Sequence, residues 1–229
     1  MKLTLIRGDA LKILPKLKNK NIDLILTDPP YGIKRDKGFG GFDGFRGKGR
    51  PIRRRVYEND NWDAKRPSKE YFNEILKFDM STIIIFGGNY FTDLLPQSNH
   101  WLVWDKFNTM PTFGDCELIW TNIKRNSIKK IVFEWNGLIG KERHRFHPTQ
   151  KPIELIKKLI TNYTKKEDSV LDPFLGSGTT MKASLELDRN CIGIEINQKY
   201  IDIIKKRLNW GSSLNTDIEF EYIEDESGI

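Results

Sequence analysis

Short, unbroken apolar runs separated by amphipathic helical patterns restrict the possible folds of this chain more than any other feature of its sequence. Several of the runs lack a polar–apolar alternation, as expected for strands covered on both faces. The candidate strands are "LTLI" at 3, "IDLILT" at 22, "STIIIF" at 81, "HWLVW" at 100, "CELIWT" at 116, "SVLD" at 169 and "CIGIEI" at 191. The helical patterns between them are "PSKEYFNEILKF", "PIELIKKLI", "TTMKASLEL" and "QKYIDIIKKRL". This order predicts an α/β fold with a mostly parallel sheet and helices on both faces.

The length and apolar content suit one domain, since the 229 residues are close to the roughly 100 to 200 residues of a typical domain. There is no apolar run of about 18 residues, which argues against a spanning helix. Charged residues interrupt the beginning of the sequence, which argues against a signal peptide. We therefore expect a cytoplasmic protein without a membrane partner. Cys116 and Cys191 are far apart, so we predict neither a disulfide framework nor a metal site.

The positive charge is concentrated in one segment. The formal net charge is +7, and residues 32–66 contain eleven Lys or Arg against five acids, a local excess of +6. A basic surface favours a polyanionic partner. The segment 211–229 is acidic instead, and we expect it to be a loosely attached tail.

The stretch "LTDPPYGI", residues 26–33, places an acid, two prolines and an aromatic ring directly after an apolar strand. Proline explains why the strand stops, because it removes a backbone donor, but it does not explain the acid and the ring. In open α/β sheets, ligands bind beyond the carboxyl ends of the strands. Asp28 and Asp172 both occupy such positions.

A second strand end carries the glycine-rich "VLDPFLGSGTT", residues 170–180, followed by a helical pattern. Glycines let the backbone approach a ligand, and the helix start suits negative groups. A tight turn that only packs a helix on a sheet would look the same. Glu195 ends the next apolar run at a spacing where an acid can accept hydrogen bonds from ribose hydroxyls, which favours a nucleoside-bearing cofactor.

With both strand ends in view, the chain resembles the amino-methylating DNA methyltransferases that use S-adenosylmethionine, in the β arrangement where the catalytic motif precedes the cofactor motif. The resemblance spans about residues 3–208. The matching motifs, in the family's order, are "GDAL" at 8–11, "DPPY" at 28–31, "HPTQKP" at 147–152 and "DPFLGSGTT" at 172–180.

The resemblance implies a class I methyltransferase, Rossmann-like fold with a mostly parallel seven-stranded sheet and a terminal antiparallel hairpin. It implies a catalytic motif of Asp28, Pro29, Pro30 and Tyr31. The Asp28 carboxylate and the Pro29 carbonyl would accept the two hydrogens of an exocyclic amine, while Tyr31 stacks on the base. In duplex DNA the base would have to be flipped into this pocket.

The resemblance also implies a set of contacts to S-adenosylmethionine. They are Asp9, Asp172, Phe174, Gly176, Ser177, Gly178, Thr179, Glu195, His147, Thr149, Gln150 and Lys151. Two of these positions have an ordinary structural alternative. Asp9 can be no more than a helix N-cap, and Pro152 after the "HPTQK" segment can be no more than a helix start.

For domains, we predict a single methyltransferase domain over 1–210 with two special segments. Residues 32–66 would form a mobile basic loop in which Arg50, Arg53, Arg54 and Arg55 neutralise phosphates of double-stranded DNA. Residues 106–146 would form a small target-recognition region. A disordered insertion without a role is the alternative for the basic loop, and a homodimer stays open.

The predicted function is site-specific methylation of adenine N6 in double-stranded DNA, within restriction-modification. Adenine is preferred because Asp before Pro-Pro is commoner in the adenine enzymes of the family. An N4-cytosine methyltransferase and a DNA-binding protein that lost activity stay open. A dinucleotide-dependent oxidoreductase would explain the glycine turn but not "DPPY".

Overall fold

The computed structural model describes residues 1–33, 63–107, 114–134, 150–210 and 219–224. Contacts between residues divide the chain into two compact units, one formed by Met1–Pro29 with Ser68–Ile229 and the other by Pro30–Pro67. Most of the predicted basic loop lies outside the described residues. The same holds for 108–113 and 135–146 of the predicted recognition region.

The strands of the described residues form one nine-stranded sheet in the order β6-β4-β5-β3-β2-β7-β8-β1-β9. Their bounds are β1 Lys2–Arg7, β2 Leu24–Thr27, β3 Thr82–Phe86, β4 Trp101–Asp105, β5 Cys116–Thr121, β6 Lys129–Val132, β7 Ser169–Asp172, β8 Asn190–Glu195 and β9 Glu219–Glu224. All neighbouring pairs are parallel except those of β5, which is antiparallel to β3 and to β4. The mostly parallel α/β sheet with an antiparallel β4–β5 pair is therefore confirmed.

Two edge strands raise the number of strands from the expected seven to nine. β6 lies outside β4, so the β4–β5 pair is not at the edge of the sheet. β9 lies outside β1, so Glu219–Glu224 are a paired strand and not part of a loose tail. The sequence reasoning counted the acids of "EFEYIE" but missed the alternation of Phe220 and Tyr222, whose rings pack against the core beside β1.

The helices are α1 Ala10–Ile13, α2 Lys69–Leu76, α3 Ile153–Tyr163, α4 Thr179–Glu186 and α5 Gln198–Arg207. Leu155 and Leu159 of α3 belong to the same buried cluster as Leu24 and Leu26 of β2. Because side chains alternate along a strand, Ile25 and Thr27 face the opposite side of the sheet. Among the described residues, none of the helices has the length and apolar character needed to cross a bilayer.

The register of β2 and β7 determines where the predicted site lies. The two strands are parallel neighbours, with Leu24 opposite Val170 and Ile25 opposite Leu171. Their carboxyl ends therefore meet at one edge of the sheet, called the carboxyl edge below. Asp28 follows β2 and Asp172 ends β7 at this edge.

Candidate active site

Asp172 is a buried carboxyl group at the carboxyl edge. Its side chain is 4% exposed, and Oδ1 accepts a hydrogen bond from the Phe174 amide at 3.1 Å. Burial raises the pKa of Asp172 to about 6, the hydrogen bond from the Phe174 amide opposes this rise, and the negative charge of Asp28 adds to it. The two aspartates that the sequence singled out are thus close enough to influence one another.

The turn after β7 needs its two glycines for different reasons. Gly176 (φ +54°) and Gly178 (φ +82°) both have left-handed backbone conformations, which glycine adopts without the cost of a Cβ. A Cβ on Gly178 would lie 2.9 Å from Cγ1 of Ile204, whereas a Cβ on Gly176 would meet nothing within 4 Å. Gly178 therefore allows α5 to pack closely, and Gly176 borders open space.

Glu195 lies at the end of β8 and binds the same turn. Its carboxylate accepts hydrogen bonds from the amides of Gly176 and Asn197, both at 2.8 Å. Burial raises the pKa of Glu195 to about 7, and these amide hydrogen bonds oppose the rise. A carboxylate can accept about four hydrogen bonds, so Glu195 can hold the turn and still accept hydrogen bonds from a ligand.

Two adjacent residues of the "HPTQKP" segment, Gln150 and Lys151, reach different parts of the site. His147 and Thr149 lie outside the described residues. Gln150 is buried, and its Oε1 accepts a hydrogen bond from the Ser177 hydroxyl in the glycine turn at 3.3 Å. Lys151 instead forms an ion pair with Asp28, with 2.6 Å between Nζ and Oδ2.

Asp9 caps α1, because its Oδ1 accepts a hydrogen bond from the Leu11 amide at 2.9 Å. The structural alternative for this residue is therefore realised. Its position is nonetheless at the carboxyl edge, since the Gly8 amide donates to the Glu195 carbonyl at 3.1 Å. Capping uses one carboxylate oxygen and is compatible with a cofactor contact through the other.

The second unit contains the end of the "DPPY" motif. The amides of Tyr31 and Gly32 both donate to Oδ1 of Asp63, at 2.7 and 2.9 Å. Gly32 has φ +73°, and a Cβ there would lie 2.9 Å from the Arg66 amide nitrogen. Asp63 therefore holds the turn after Tyr31 in place. The predicted phosphate contacts Arg50, Arg53, Arg54 and Arg55 lie outside the described residues.

Sequence reasoning missed Glu117 and Asp63. Glu117 lies near the start of β5, and because β5 is antiparallel to β3 its start is at the carboxyl edge. It forms an ion pair with Lys151, with 3.1 Å between Nζ and Oε1. A charged residue within the apolar run "CELIWT" was a usable signal for Glu117, whereas nothing in the local sequence around Asp63 pointed to its role.

Comparison with known proteins finds DNA methyltransferases. The family N6_N4_Mtase, described as DNA methylase, matches residues 95–206. The type II methyltransferase M.HinfI of Haemophilus influenzae is 30% identical over 271 aligned positions, covering 96% of this chain and 72% of the relative. The type II methyltransferase M2.LlaDCHI of Lactococcus lactis subsp. cremoris is 28% identical and covers 91% of this chain and 90% of the relative.

Solved structures show the same fold. A crystal structure titled as an M1.HpyAVI–SAM complex has a TM-score of 0.58 and 25% identity, covering 90% of this chain and 99% of that one. The cytosine-N4-specific PvuII DNA methyltransferase has a TM-score of 0.52 and 16% identity over 96% of this chain and 95% of that one, and it supports the fold alone. With the fold, the ordered motifs and the M.HinfI relative in agreement, this chain belongs to the N6/N4 family of DNA methyltransferases.

Proposed function

We propose that this member of the type II DNA methyltransferases transfers a methyl group from S-adenosylmethionine to adenine N6 at a specific site in double-stranded DNA. The observation that carries the proposal is the position of Asp28. It follows the strand next to β7, so the predicted amine acceptor lies beside Asp172 and the glycine turn at one edge of the sheet.

The residues at the carboxyl edge suit S-adenosylmethionine. Gly176 borders open space, so a ligand can approach the backbone there. Glu195 is positioned by two amides and retains acceptor capacity for a ribose diol. Asp172 offers a buried carboxyl group to the ammonium of the amino acid end. When bound, the cofactor supplies a methyl group made electrophilic by its attachment to a sulfonium.

The protein's own contribution is to aim the lone pair of the amine. That lone pair is delocalised into the ring of the base and is a poor nucleophile. Hydrogen bonds from the amine to the Asp28 carboxylate and the Pro29 carbonyl favour a tetrahedral nitrogen, and they strengthen as positive charge develops on it. The prolines restrict the backbone, so both acceptors are placed in advance. By the resemblance, Tyr31 stacks on the flipped base and replaces part of its lost stacking.

The choice of adenine rests on Asp preceding Pro-Pro, which is commoner in the adenine enzymes of the family. The alternative is cytosine N4, whose exocyclic amine presents the same two hydrogens to the same acceptors. The PvuII likeness shows that a cytosine-N4-specific enzyme shares the fold. A second alternative is a DNA-binding protein without activity.

The test is incubation of unmethylated plasmid DNA with the protein and methyl-labelled S-adenosylmethionine, followed by digestion and nucleoside analysis. We expect label in N6-methyldeoxyadenosine. Label only in N4-methyldeoxycytidine would overturn the base assignment, and DNA binding without any incorporation would support the inactive alternative.

Asp28→Ala tests the catalytic assignment in the same assay. We expect turnover to be abolished while the dissociation constant for S-adenosylmethionine changes by less than about threefold, because Asp28 addresses the base and not the sulfonium. Asp202→Ala on the exposed side of α5 is the control and should retain turnover. A parallel loss of cofactor affinity in calorimetry would contradict this division of roles.

A further inference from the structure

Within the part of the protein that the structure describes, Asp28 belongs to a row of four alternating charges that come from four separate segments. Lys151 Nζ lies 2.6 Å from Asp28 Oδ2 and 3.1 Å from Glu117 Oε1. The other oxygen of Glu117 lies 3.2 Å from Lys106 Nζ. Asp28 follows β2, Glu117 is in β5, Lys106 follows β4, and Lys151 precedes α3.

The two central charges of this row, those of Lys151 and Glu117, are largely removed from water. The side chains of Lys151 and Glu117 are 10% and 11% exposed, and the Phe86 ring lies 5.0 Å below the ammonium. Removing charges from water costs several kcal/mol per ion, and well-packed apolar residues often stabilise a fold as well as a buried ion pair does. Stability alone therefore gives little reason to place a lysine here.

Lys151 remains a cation in this position. Burial alone lowers the pKa of Lys151, but the negative charges of Asp28 and Glu117 outweigh it, and the pKa lies above its ordinary value. An ammonium at this distance favours the charged form of a carboxylate. It also restricts rotation of the carboxyl group, because the contact is a charge-assisted hydrogen bond.

We propose that Lys151 is a positioning residue for Asp28, and that Glu117 holds Lys151 in place. This inference rests on the proposed function of Asp28 as the acceptor of an amine hydrogen. A carboxylate accepts such a hydrogen bond at either oxygen, whereas a protonated or rotated carboxyl group does not present the same acceptor. Lys151 thus acts on the DNA side of the reaction, through Asp28.

The experiment compares Lys151→Met, Lys151→Arg and Glu117→Gln in single-turnover methyl transfer to plasmid DNA across pH. The matched control is Lys157→Met, because Lys157 also pairs with two carboxylates, those of Glu154 at 3.0 Å and Glu186 at 2.5 Å, but lies away from Asp28 between α3 and α4 and is more exposed than Lys151. Cofactor affinity by calorimetry and folding by circular dichroism are measured for each protein.

For Lys151→Met we expect a rate about 10²-fold lower, the scale of a misplaced reactive group. The acidic limb of the pH–rate profile also contains the titrations of Asp172 and Glu195, neither of which forms an ion pair with Lys151 in the described part of the chain. The part due to Asp28 should move to higher pH because Asp28 loses its neighbouring cation. The dissociation constant for S-adenosylmethionine should stay within about threefold of wild type. Lys151→Arg should recover most of the rate, Glu117→Gln should fall between, and Lys157→Met should match wild type.

The effect of Lys151 on Asp28 can also be measured without turnover, even if the variant is weakly active. Carbon-13 labelling of aspartate carboxyl groups follows the titration of Asp28 by NMR, with Asp28→Asn providing the assignment. We expect the titration of Asp28 to occur at higher pH in Lys151→Met than in wild type. An unchanged titration would overturn the inference.

Failure of this inference and failure of the proposed function give different results. If Lys151→Met loses cofactor affinity in parallel with rate and its pH profile is unchanged, Lys151 is a cofactor contact and the inference fails. If wild-type protein transfers no methyl group to any DNA, the proposed function fails, and the NMR comparison alone then decides whether Lys151 controls Asp28.

Discussion

At the scale of single residues, the site combines carboxyl groups with different surroundings. Asp28 lies beside a cation at 2.6 Å, whereas burial dominates the environments of Asp172 and Glu195. Divergent environments of neighbouring carboxyl groups are typical of sites in which each has a separate task. In this protein the difference separates the proposed amine acceptor from the proposed cofactor contacts.

Glu195 should make the stability of the ligand-free protein depend on pH. Its pKa is about 7 in the folded protein against 4.5 ordinarily, so the folded state keeps a proton that the unfolded state releases. The free energy of unfolding should therefore fall as pH rises through this window, by up to about 3 kcal/mol. Asp172 acts in the same direction over its own window, from 3.8 to about 6.

Urea unfolding of wild type and Glu195→Gln at about pH 5 and about pH 8 isolates this effect. Glutamine carries no charge at either pH, so the variant should gain stability relative to wild type as pH rises. The variant should also bind S-adenosylmethionine more weakly, by roughly 1 to 3 kcal/mol, as one charged acceptor is lost. A stability difference that is the same at both pH values would show that Glu195 is not buried as a costly charge.

At the scale of elements, direction and turn geometry decide which side chains meet. β5 is antiparallel to both of its neighbours, and its first residues therefore lie at the same edge as the last residues of β2 and β7. That direction brings Glu117 to Lys151. The glycine turn between β7 and α4 supplies the open space beside Glu195.

The two glycines of this turn form a matched pair for mutation. Each has a positive φ, so alanine at either position should cost about 1 to 2 kcal/mol of backbone strain. Gly178→Ala should destabilise further, by about 1 to 3 kcal/mol, because its Cβ would press on Ile204. Gly176→Ala should be the more stable variant but bind cofactor about tenfold or more weakly, because its Cβ enters the proposed cofactor space.

Thermal unfolding and calorimetry with S-adenosylmethionine measure the two effects separately. If Gly176→Ala binds the cofactor like wild type, the open space beside this glycine is not occupied by cofactor. If Gly178→Ala is no less stable than Gly176→Ala, the close approach of Ile204 is relieved by a small shift of α5.

At the scale of the whole molecule, the first and last described strands are neighbours in the sheet, and the positive charge is concentrated in one segment. The strands nearest the two ends of the sequence, β1 and β9, are neighbours at one edge of the sheet, where Lys2 pairs with Glu219 and Glu221. Residues 32–66 carry a local excess of +6 in a chain of net charge +7. The segment that follows "DPPY" in sequence is therefore the main candidate for phosphate contacts.

Replacing Arg50, Arg53, Arg54 and Arg55 by alanine should weaken binding to duplex DNA of every sequence. Each lost phosphate contact should flatten the log–log salt dependence by up to about 0.9, and cofactor affinity should not change. The control removes the same charge elsewhere, by alanine at the exposed Lys158, Lys165, Lys166 and Lys206. Wild-type DNA affinity and salt slope in the arginine variant would contradict a role in phosphate binding, and fluorescence anisotropy across salt concentrations measures both.

The α/β class, the strand ends that carry Asp28 and Asp172, and the family are all readable from the sequence. Those features are local: unbroken apolar runs report burial on both faces, and the catalytic and cofactor motifs are contiguous stretches of chain. Local patterns also predicted Asp28 and Asp172 at one edge, because parallel strands end on the same side. They did not predict the pairing of β9 with β1, since the high charge of the segment obscured its alternation.

The ion pairs that link Lys151 to Asp28 and to Glu117 follow from the tertiary structure. Lys151 is 123 positions from Asp28 in sequence and Glu117 is 89 positions from it, and the motifs assigned Lys151 to the cofactor and did not include Glu117. Their meeting depends on the order of strands in the sheet and on the reversed direction of β5, which are properties of the whole sheet. The pairing of Asp63 with the turn after Tyr31 has the same origin, because contacts between distant segments form only where the fold closes the chain on itself.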